Sequence, residues 1–532
     1  MGFVASFLSN FFYLLTGLQS KQDGGMLHPP KLIPRQVLFE NPDLSSANMD
    51  PSGTLVAFLK PINGVQNVWV QSIADMIQRG PEHAKPLTND TGRGIYSFGW
   101  TYLPNVMVYE QDTDGDENYR LYKLDVLTGQ AQLLAGGVDV QVLTVALHKK
   151  HPQSMIIGLN DRDDRYHDLY HLNLTTGETR LVFLNEDGYS SYYLYDNAFK
   201  LRLLSKETDD GGTAYYLPEL DEVTGKLTNA TLLRAVSFDD SSNTYPLGFD
   251  KSNSRMYWMD GEGRNLAVLT LRDFRTNFSA AEEEVVYAPN KADLSVSFHP
   301  LKYTPLEAYE TYRRSVRTLL DKSLAPDYAY LEALKQGQGF ELDRVDSSKD
   351  FQKWLVLFSS DSKASEYYFY DRKQRKAWYL FTTRKALAKY RLAKMQSAKI
   401  RTRDGLTQVC YLSLPVEKDP LGTGHALTPG PLLLMVHGGP QSRDYWGYDP
   451  EVQLWANRGY AVMQCNYRGS TGYGKAFINA GQGEWGRKMH FDLLDAAKWA
   501  VRQGIAEKDK VAIYGASYGG YATLAGLAFS PD

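Results

Sequence analysis

Residues 511–529 read VAIYGASYGGYATLAGLAF. An apolar run, Val511 to Gly515, is interrupted by glycines and one serine, then gives way to small and apolar residues of helical character. The spacing Gly515-x-Ser517-x-Gly519 in that context predicts a strand running into a tight turn and a helix running out of it. Such a turn holds the serine hydroxyl clear of the backbone, and glycines flank it because a Cβ would strike neighbouring chain. Ser517 is therefore a candidate nucleophile, and the N–H of Tyr518 a candidate donor to an oxyanion forming beside it. The other reading is a small-residue helix start packed closely on a sheet.

Two further apolar runs precede this one, PLLLMVHGGP (431–440) and GYAVMQCNYRG (459–469). Helix-like segments separate the runs. One is MHFDLLDAAKWAVRQG (489–504), whose Leu493, Leu494, Ala497, Trp499 and Val501 give a largely apolar face. Buried strands alternating with helices predict parallel pairing in an open α/β sheet covered on both faces, with ligands gathered at the carboxyl ends of the strands. That geometry brings two more loops to Ser517. Gly438 and Gly439 follow the first strand and offer backbone N–H groups. Tyr473, in NYRGSTGYG (466–474), follows the second and offers a hydroxyl.

Residues 50–388 have a different texture, with short alternating strands and turn signals. Aligning the turns exposes a repeat: LYKLDVLTG ends at Gly129, LYHLNLTTG at Gly177 and YLPELDEVTG at Gly225, so that Thr128, Thr176 and Thr224 stand 48 residues apart. A strand-built period of about 40 to 50 residues predicts a β-propeller of four-stranded blades. NVWVQS (67–72) and YYFYDRKQRKAWYLF (367–381) read as the corresponding inner hairpins of the first and last blades. The region holds about seven such periods, the sixth interrupted by helix-like DYAYLEALKQG (327–337). A stack of β-sandwiches is the alternative, although sandwiches seldom repeat at a fixed period.

The whole chain, 532 residues, exceeds what one core sustains, and the texture divides it into an N-terminal extension (1–30), a lead-in (31–49), the propeller (50–388) and an α/β-hydrolase domain (389–532). A net charge of -4 gives no electrostatic footprint for nucleic acid or acidic membranes. Cys410 and Cys465 lie in apolar strand-like runs and read as packed thiols, with a disulfide between them left open. His167 and His171 are four apart in a strand-like stretch and read as surface histidines rather than a metal site, and no cofactor or metal is expected. MGFVASFLSNFFYLLTGLQS (1–20) carries no charge, and on a helix Ser6, Ser9, Asn10, Tyr13, Thr16 and Gly17 make one narrow polar stripe. It is either an export signal or membrane anchor, or a helix docked on the body of the protein. Membrane contact is expected only in the first case, and the oligomeric state is left open. The cytoplasm is the compartment slightly favoured.

HGGP, NYRGSTGYG, EWG (484–486) and GASYGGY (515–521), in that order and followed by Pro531, resemble the catalytic domain of the prolyl oligopeptidase family of serine peptidases. With the propeller upstream, the resemblance runs from LIPRQVLFENPD (32–43) to the last residue. It implies Ser517 as nucleophile, and Tyr518 N–H with either Tyr473 or the HGG backbone as oxyanion donors. It also implies short peptides as substrates, admitted by the propeller. The HGGP and NYRGS forms are similar to those of acylaminoacyl peptidases and bacterial oligopeptidases. The dipeptidyl peptidase branch carries a paired-glutamate motif; here only AAEEEVVY (280–287) occurs, and Glu282 to Glu284 read as a solvated charge run.

A serine needs a base, and the base an orienting carboxylate. In α/β-hydrolases these follow in the order Ser, Asp or Glu, His. After Ser517 come fifteen residues, with one acid, Asp532, and no histidine. His437 and His490 precede the serine and do not occupy the family's base position. The expectation is a serine peptidase whose acid and histidine lie beyond Asp532, leaving these 532 residues inactive by themselves. A catalytically dead propeller used for binding, and a carboxylesterase, are the alternatives.

Overall fold

Between Ser45 and Thr382 the chain forms seven small antiparallel sheets in sequence order. These and the domain that follows come from a computed structural model describing residues 31–190, 193–274 and 283–531. The readings made for residues 1–30, Glu282 and Asp532 lie outside the described residues. Strands of period two explain the ring. On Leu55–Ile62, Val56 and Phe58 enter a core shared with the last blade, while Ala57 and Leu59 enter a core shared with the second. In the third blade, Met155 and Ile157 face backward and Ile156 faces forward. A blade wedged between two neighbours must be apolar on both faces, so its middle strands are nearly continuous apolar runs. Seven such inter-blade cores make the ring.

Closure comes from packing and from bonds between loops, not from a shared sheet, because the first blade uses only residues 45–86 and the last only 341–382; Lys349 N donates to Pro51 O at 2.7 Å. Met49 N donates to Asp346 Oδ2 at 2.7 Å, and Lys353 Nζ to Gly53 O at 2.9 Å. The first strand, Ser45–Met49, touches the first strands of both neighbouring blades, Ser97–Trp100 and Glu341–Ser347, so first strands are innermost. NVWVQS and YYFYDRKQRKAWYLF belong to third and fourth strands. The first is a third strand and the second an outer hairpin, so the inner-hairpin reading is corrected. The sixth blade has three strands, and helix Ala325–Leu334 stands in place of a fourth, with Tyr328 and Leu331 filling the core beside the seventh blade.

The 48-residue repeat has a local cause. Asp125 Oδ1 accepts from the N–H of Leu127 and Thr128, Asp221 Oδ1 from Val223 and Thr224, and Asn173 Oδ1 from Thr175 and Thr176. Each side chain caps the turn between a third and a fourth strand, and the following glycine takes the positive φ that closes it. His167, in contrast, is buried at 9% exposure with both ring nitrogens unpartnered, so it is not the surface residue expected. His171 bonds to Ser154 Oγ at 2.9 Å. Glu283 also departs from expectation. Its side chain is 7% exposed and paired with Arg264 and Arg272, whereas Glu284 is exposed and pairs with Arg255.

The second domain is a five-stranded sheet of β1 (Met395–Arg401), β2 (Thr407–Ser413), β3 (Gly430–Val436), β4 (Ala461–Asn466) and β5 (Ala506–Gly515), in the order β1-β2-β4-β3-β5. Its longer helices are α1 (Pro450–Ala456), α2 (Lys488–Arg502) and α3 (Tyr518–Phe529), and a short helical turn spans Lys475–Asn479. Pairing is parallel among β3, β4 and β5 but antiparallel for β1 with β2 and β2 with β4, so the wholly parallel expectation holds for three strands. β1 and β2 are joined by a tight hairpin, which permits only antiparallel pairing. Cys410 on β2 and Cys465 on β4 are register partners and are bonded as a disulfide, not held as separate thiols. Helix α2 buries Met489, Leu493, Ala496 and Ala500, a face rotated from the one expected.

The lead-in ties the two domains together. Helix Arg35–Phe39 packs on α1, and Ile33 N donates to Asn457 Oδ1 at 2.7 Å.

Candidate active site

The turn after β5 is built as its glycines demand. A Cβ on Gly515 would stand 2.5 Å from Val436 O, and one on Gly519 would come nearer still to the same atom. Only with both absent does α3 start directly against the end of β3. Ser517 takes φ 55 and ψ −124, a sparsely populated conformation for a residue with a side chain. The turn is closed by Gly519 N to Ala516 O at 2.9 Å and Tyr521 N to Ser517 O at 3.1 Å. Ser517 itself is exposed.

The HGGP loop lies alongside. A Cβ on Gly438 would stand 3.3 Å from Ser517 Cβ and 3.7 Å from its Oγ, so the bare Cα of Gly438 faces the hydroxyl. Among the described residues the N–H groups of Gly438, Gly439 and Tyr518 find no acceptor. Three backbone donors without partners thus belong to the two segments that meet at one exposed, strained serine, the HGGP loop and the start of α3. Beneath them lies an aromatic shelf. Tyr518 stacks on Tyr467 at 5.2 Å, takes the edge of Trp485 at 4.8 Å and meets Tyr521 at 5.7 Å. The EWG motif thus supplies the wall behind the turn.

His437 is next to this loop but faces away from base duty. Its ring stacks on Tyr467 at 4.5 Å, Nδ1 lies 2.8 Å from Gly438 O and Nε2 3.0 Å from Ser470 Oγ, so both nitrogens are committed. Burial pushes its pKa down to about 4. His490 bonds to Ser530 Oγ at the far end of α3.

Tyr473 is buried at 9% exposure. Its hydroxyl accepts from Arg443 Nη2 at 2.8 Å and from Asn466 Nδ2 at 2.7 Å. Its ring packs edge-on against Tyr312 of the sixth blade at 5.6 Å. Asn466 also holds the backbone of Asp444, accepting from its N–H at 2.7 Å and donating to its carbonyl at 3.1 Å. Sequence reasoning singled out Tyr473 but neither Arg443, Asp444 nor Asn466. The arginine and aspartate follow HGGP within QSRD (441–444), a charged pair directly after a strand-end loop, which was the available signal.

The propeller grips the segment that carries Tyr473. Asp293 Oδ2 accepts from Gly474 N at 3.1 Å, Asn265 Oδ1 from Ala476 N at 2.9 Å, and Lys475 Nζ pairs with Asp240. The candidate site therefore sits where the carboxyl ends of the strands face the propeller.

The sequence profile of the prolyl oligopeptidase family matches residues 446–532. The chain is 36% identical to dipeptidyl aminopeptidase BIII of Pseudoxanthomonas mexicana over 503 residues, 94% of this chain and 70% of that protein. It is 35% identical to dipeptidyl peptidase family member 6 of Caenorhabditis elegans over 533 residues, 95% of this chain and 70% of that one. Similarity to the acylamino-acid-releasing enzyme of Arabidopsis thaliana, 32%, covers 102 residues, 19% of this chain and 13% of that one. Among solved structures, a puromycin hydrolase superposes with a TM-score of 0.67 at 16% identity, covering 94% of this chain and 78% of that one, a likeness of fold.

Proposed function

This chain belongs to the prolyl oligopeptidase family of peptidases, and from that premise we propose that Ser517 is the nucleophile of a serine peptidase that releases dipeptides from the free amino termini of short peptides. The observation that carries the chemistry is the one around Ser517. An exposed hydroxyl on a strained turn lies against Gly438, and the N–H groups of Gly438, Gly439 and Tyr518 have no acceptor among the described residues. Attack of the Ser517 oxygen on a scissile carbonyl forms a tetrahedral oxyanion, which those N–H groups receive. Collapse expels the amine and leaves an acyl-enzyme, and water then regenerates the serine. Of the two oxyanion arrangements left open by the sequence, the backbone one is favoured, because Gly438 lies directly against Ser517 whereas Tyr473 is buried beside Arg443, Asn466 and Tyr312; its hydroxyl accepts from two donors and keeps its own proton free to donate.

The base is assigned to residues outside these 532. No histidine follows Ser517, and both nitrogens of His437 are committed elsewhere. The chain spans 70% of its dipeptidyl peptidase relatives. The face beyond β5 and α3 is also bare, with Val511 at 41%, Leu524 at 67%, Leu527 at 72% and Phe529 at 65% exposure, which a covering segment would bury. Without a base the 532 residues are hydrolytically inert or nearly so.

The dipeptide assignment comes from the relatives' names and is tested separately from the nucleophile. Incubating the full-length chain with a hexapeptide, free or acetylated at its amino terminus, and identifying products by mass spectrometry decides it. The expected result is dipeptide from the free peptide only. Release of a single acylated residue from the acetylated peptide overturns it in favour of an acylaminoacyl peptidase.

A further inference from the structure

Arg443 is 8% exposed and belongs to the loop that starts at HGGP. Its guanidinium spans both domains. Nη1 donates to Thr311 O at 2.8 Å, on the hairpin tip between the second and third strands of the sixth blade, and Nη2 donates to the Tyr473 hydroxyl. The same group lies over the Tyr473 ring at 4.3 Å. The tip is pinned around it. Tyr411 Oη donates to Arg313 O at 2.9 Å, and Arg314, paired with Glu341, covers the face of Trp446 at 3.3 Å. Within the loop, Thr471 N donates to Ser442 O at 2.9 Å, and Asp444 is held by Asn466. The stretch from Gly438 to Asp444 is thus fixed at one end by β3 and at the other by Arg443 and its neighbours.

We propose that Arg443 is a positioning residue through which docking of the sixth propeller blade sets the geometry of the oxyanion loop. The inference rests on the reading of Gly438 and Gly439 as oxyanion donors. A donor must sit within a few tenths of an ångström of its place to serve the transition state, and a glycine loop has little stiffness of its own. The arginine supplies the stiffness from outside. Its planar fork satisfies a propeller carbonyl and a hydrolase hydroxyl at once, which a lysine ammonium on a flexible stem does less well. Tyr473 acts as the anchor on the hydrolase side, so the two residues form one unit.

The test uses the full-length chain and a dipeptidyl nitroanilide. Arg443→Met should lower kcat about 10- to 100-fold with KM changed less than threefold, Arg443→Lys should recover part of the loss, and Tyr473→Phe should lower kcat as well. The double variant should be no slower than Arg443→Met alone. Multiplicative losses in the double variant, an effect confined to KM, or an unchanged kcat overturns the proposal. Hydrogen exchange on the 532-residue chain reads the same coupling without catalysis. Arg443→Met should raise exchange in residues 437–442 and 311–315 together, and protection unchanged in 437–442 contradicts the inference even if the variant loses activity by misfolding. Should Ser517→Ala in the full-length chain keep its turnover, the nucleophile reading fails instead, and the exchange result still stands or falls by itself.

Discussion

Gly515 and Gly519 meet across the turn that carries Ser517: a Cβ on Gly515 would stand 2.7 Å from the Gly519 Cα. Neither neighbour is a flexible side chain that can swing aside. Gly515→Ala should therefore cost at least about 3 kcal/mol, at the upper end of overpacking penalties, because backbone must move. Gly520→Ala is the control. Its Cβ would meet only Gly515 O at 3.5 Å, inside a helix, so it should be neutral or stabilise by roughly 0.5–1 kcal/mol. Urea denaturation of the two variants checks the contrast, and equal midpoints would refute it.

Ser517 itself is strained. A residue at φ 55 and ψ −124 costs on the order of 1–3 kcal/mol that glycine does not incur. Ser517→Gly should raise the stability of the domain by about 1 kcal/mol after the added freedom of the unfolded chain is subtracted. A destabilised Ser517→Gly protein would mean that the hydroxyl is structural.

Asp444 gives a pH dependence. Burial, and secondarily the charge of Asp449, raise its pKa to about 7 from 3.8, with Arg443 opposing. The folded state therefore holds a proton that the unfolded state has released between about pH 4 and pH 7. The contribution of Asp444 to stability falls as pH rises through that window and is flat above it, by up to about 4 kcal/mol, while buried His437, with its pKa pushed down to about 4, acts in the opposite direction whether or not Asp444 is present. Asp444→Asn should remove that slope, leaving the protein unchanged at pH 4 and more stable at pH 8. Melting curves across pH 4–8 measure it, and identical slopes in both proteins would contradict it.

Arg468 holds a buried charge. Asp492, fully buried, accepts from Arg468 Nε at 2.8 Å and Nη2 at 2.7 Å, while Arg468 Nη1 reaches Asp404 at 2.8 Å. Burial already raises the pKa of Asp492, and Arg468→Met takes away the side chain that favours its charged form, leaving a buried carboxyl without its partner, so it should cost about 3–5 kcal/mol. Adding Asp492→Asn should restore part of the loss. If the double variant is less stable than Arg468→Met, the charge is not what the arginine serves.

Local features were the legible ones. The propeller could be read because Asp125, Asn173 and Asp221 cap the same turn in successive blades, and a turn cap is written within five residues. The strand–turn–helix at Ser517 was readable for the same reason. What stayed hidden depends on partners far along the chain. The pairing of β2 with β4 joins Cys410 to Cys465, 55 residues on. Glu283 looks like part of a charge run until Arg264 and Arg272 fold over it. Arg443 reaches a backbone carbonyl at Thr311, 132 residues away, and a carbonyl has no signature in sequence.

The central claim is that Ser517 is a peptidase nucleophile served by a base outside these 532 residues. The most direct measurement is hydrolysis of a dipeptidyl nitroanilide by three proteins: the 532-residue chain, the chain extended by the natural sequence after Asp532, and the extended chain carrying Ser517→Ala. Loss of a complete triad costs about a million-fold in turnover. The extended chain should therefore be active, and the other two should lie near background. Ser517-dependent turnover by the 532-residue chain, or turnover by the extended chain that survives Ser517→Ala, would contradict the account.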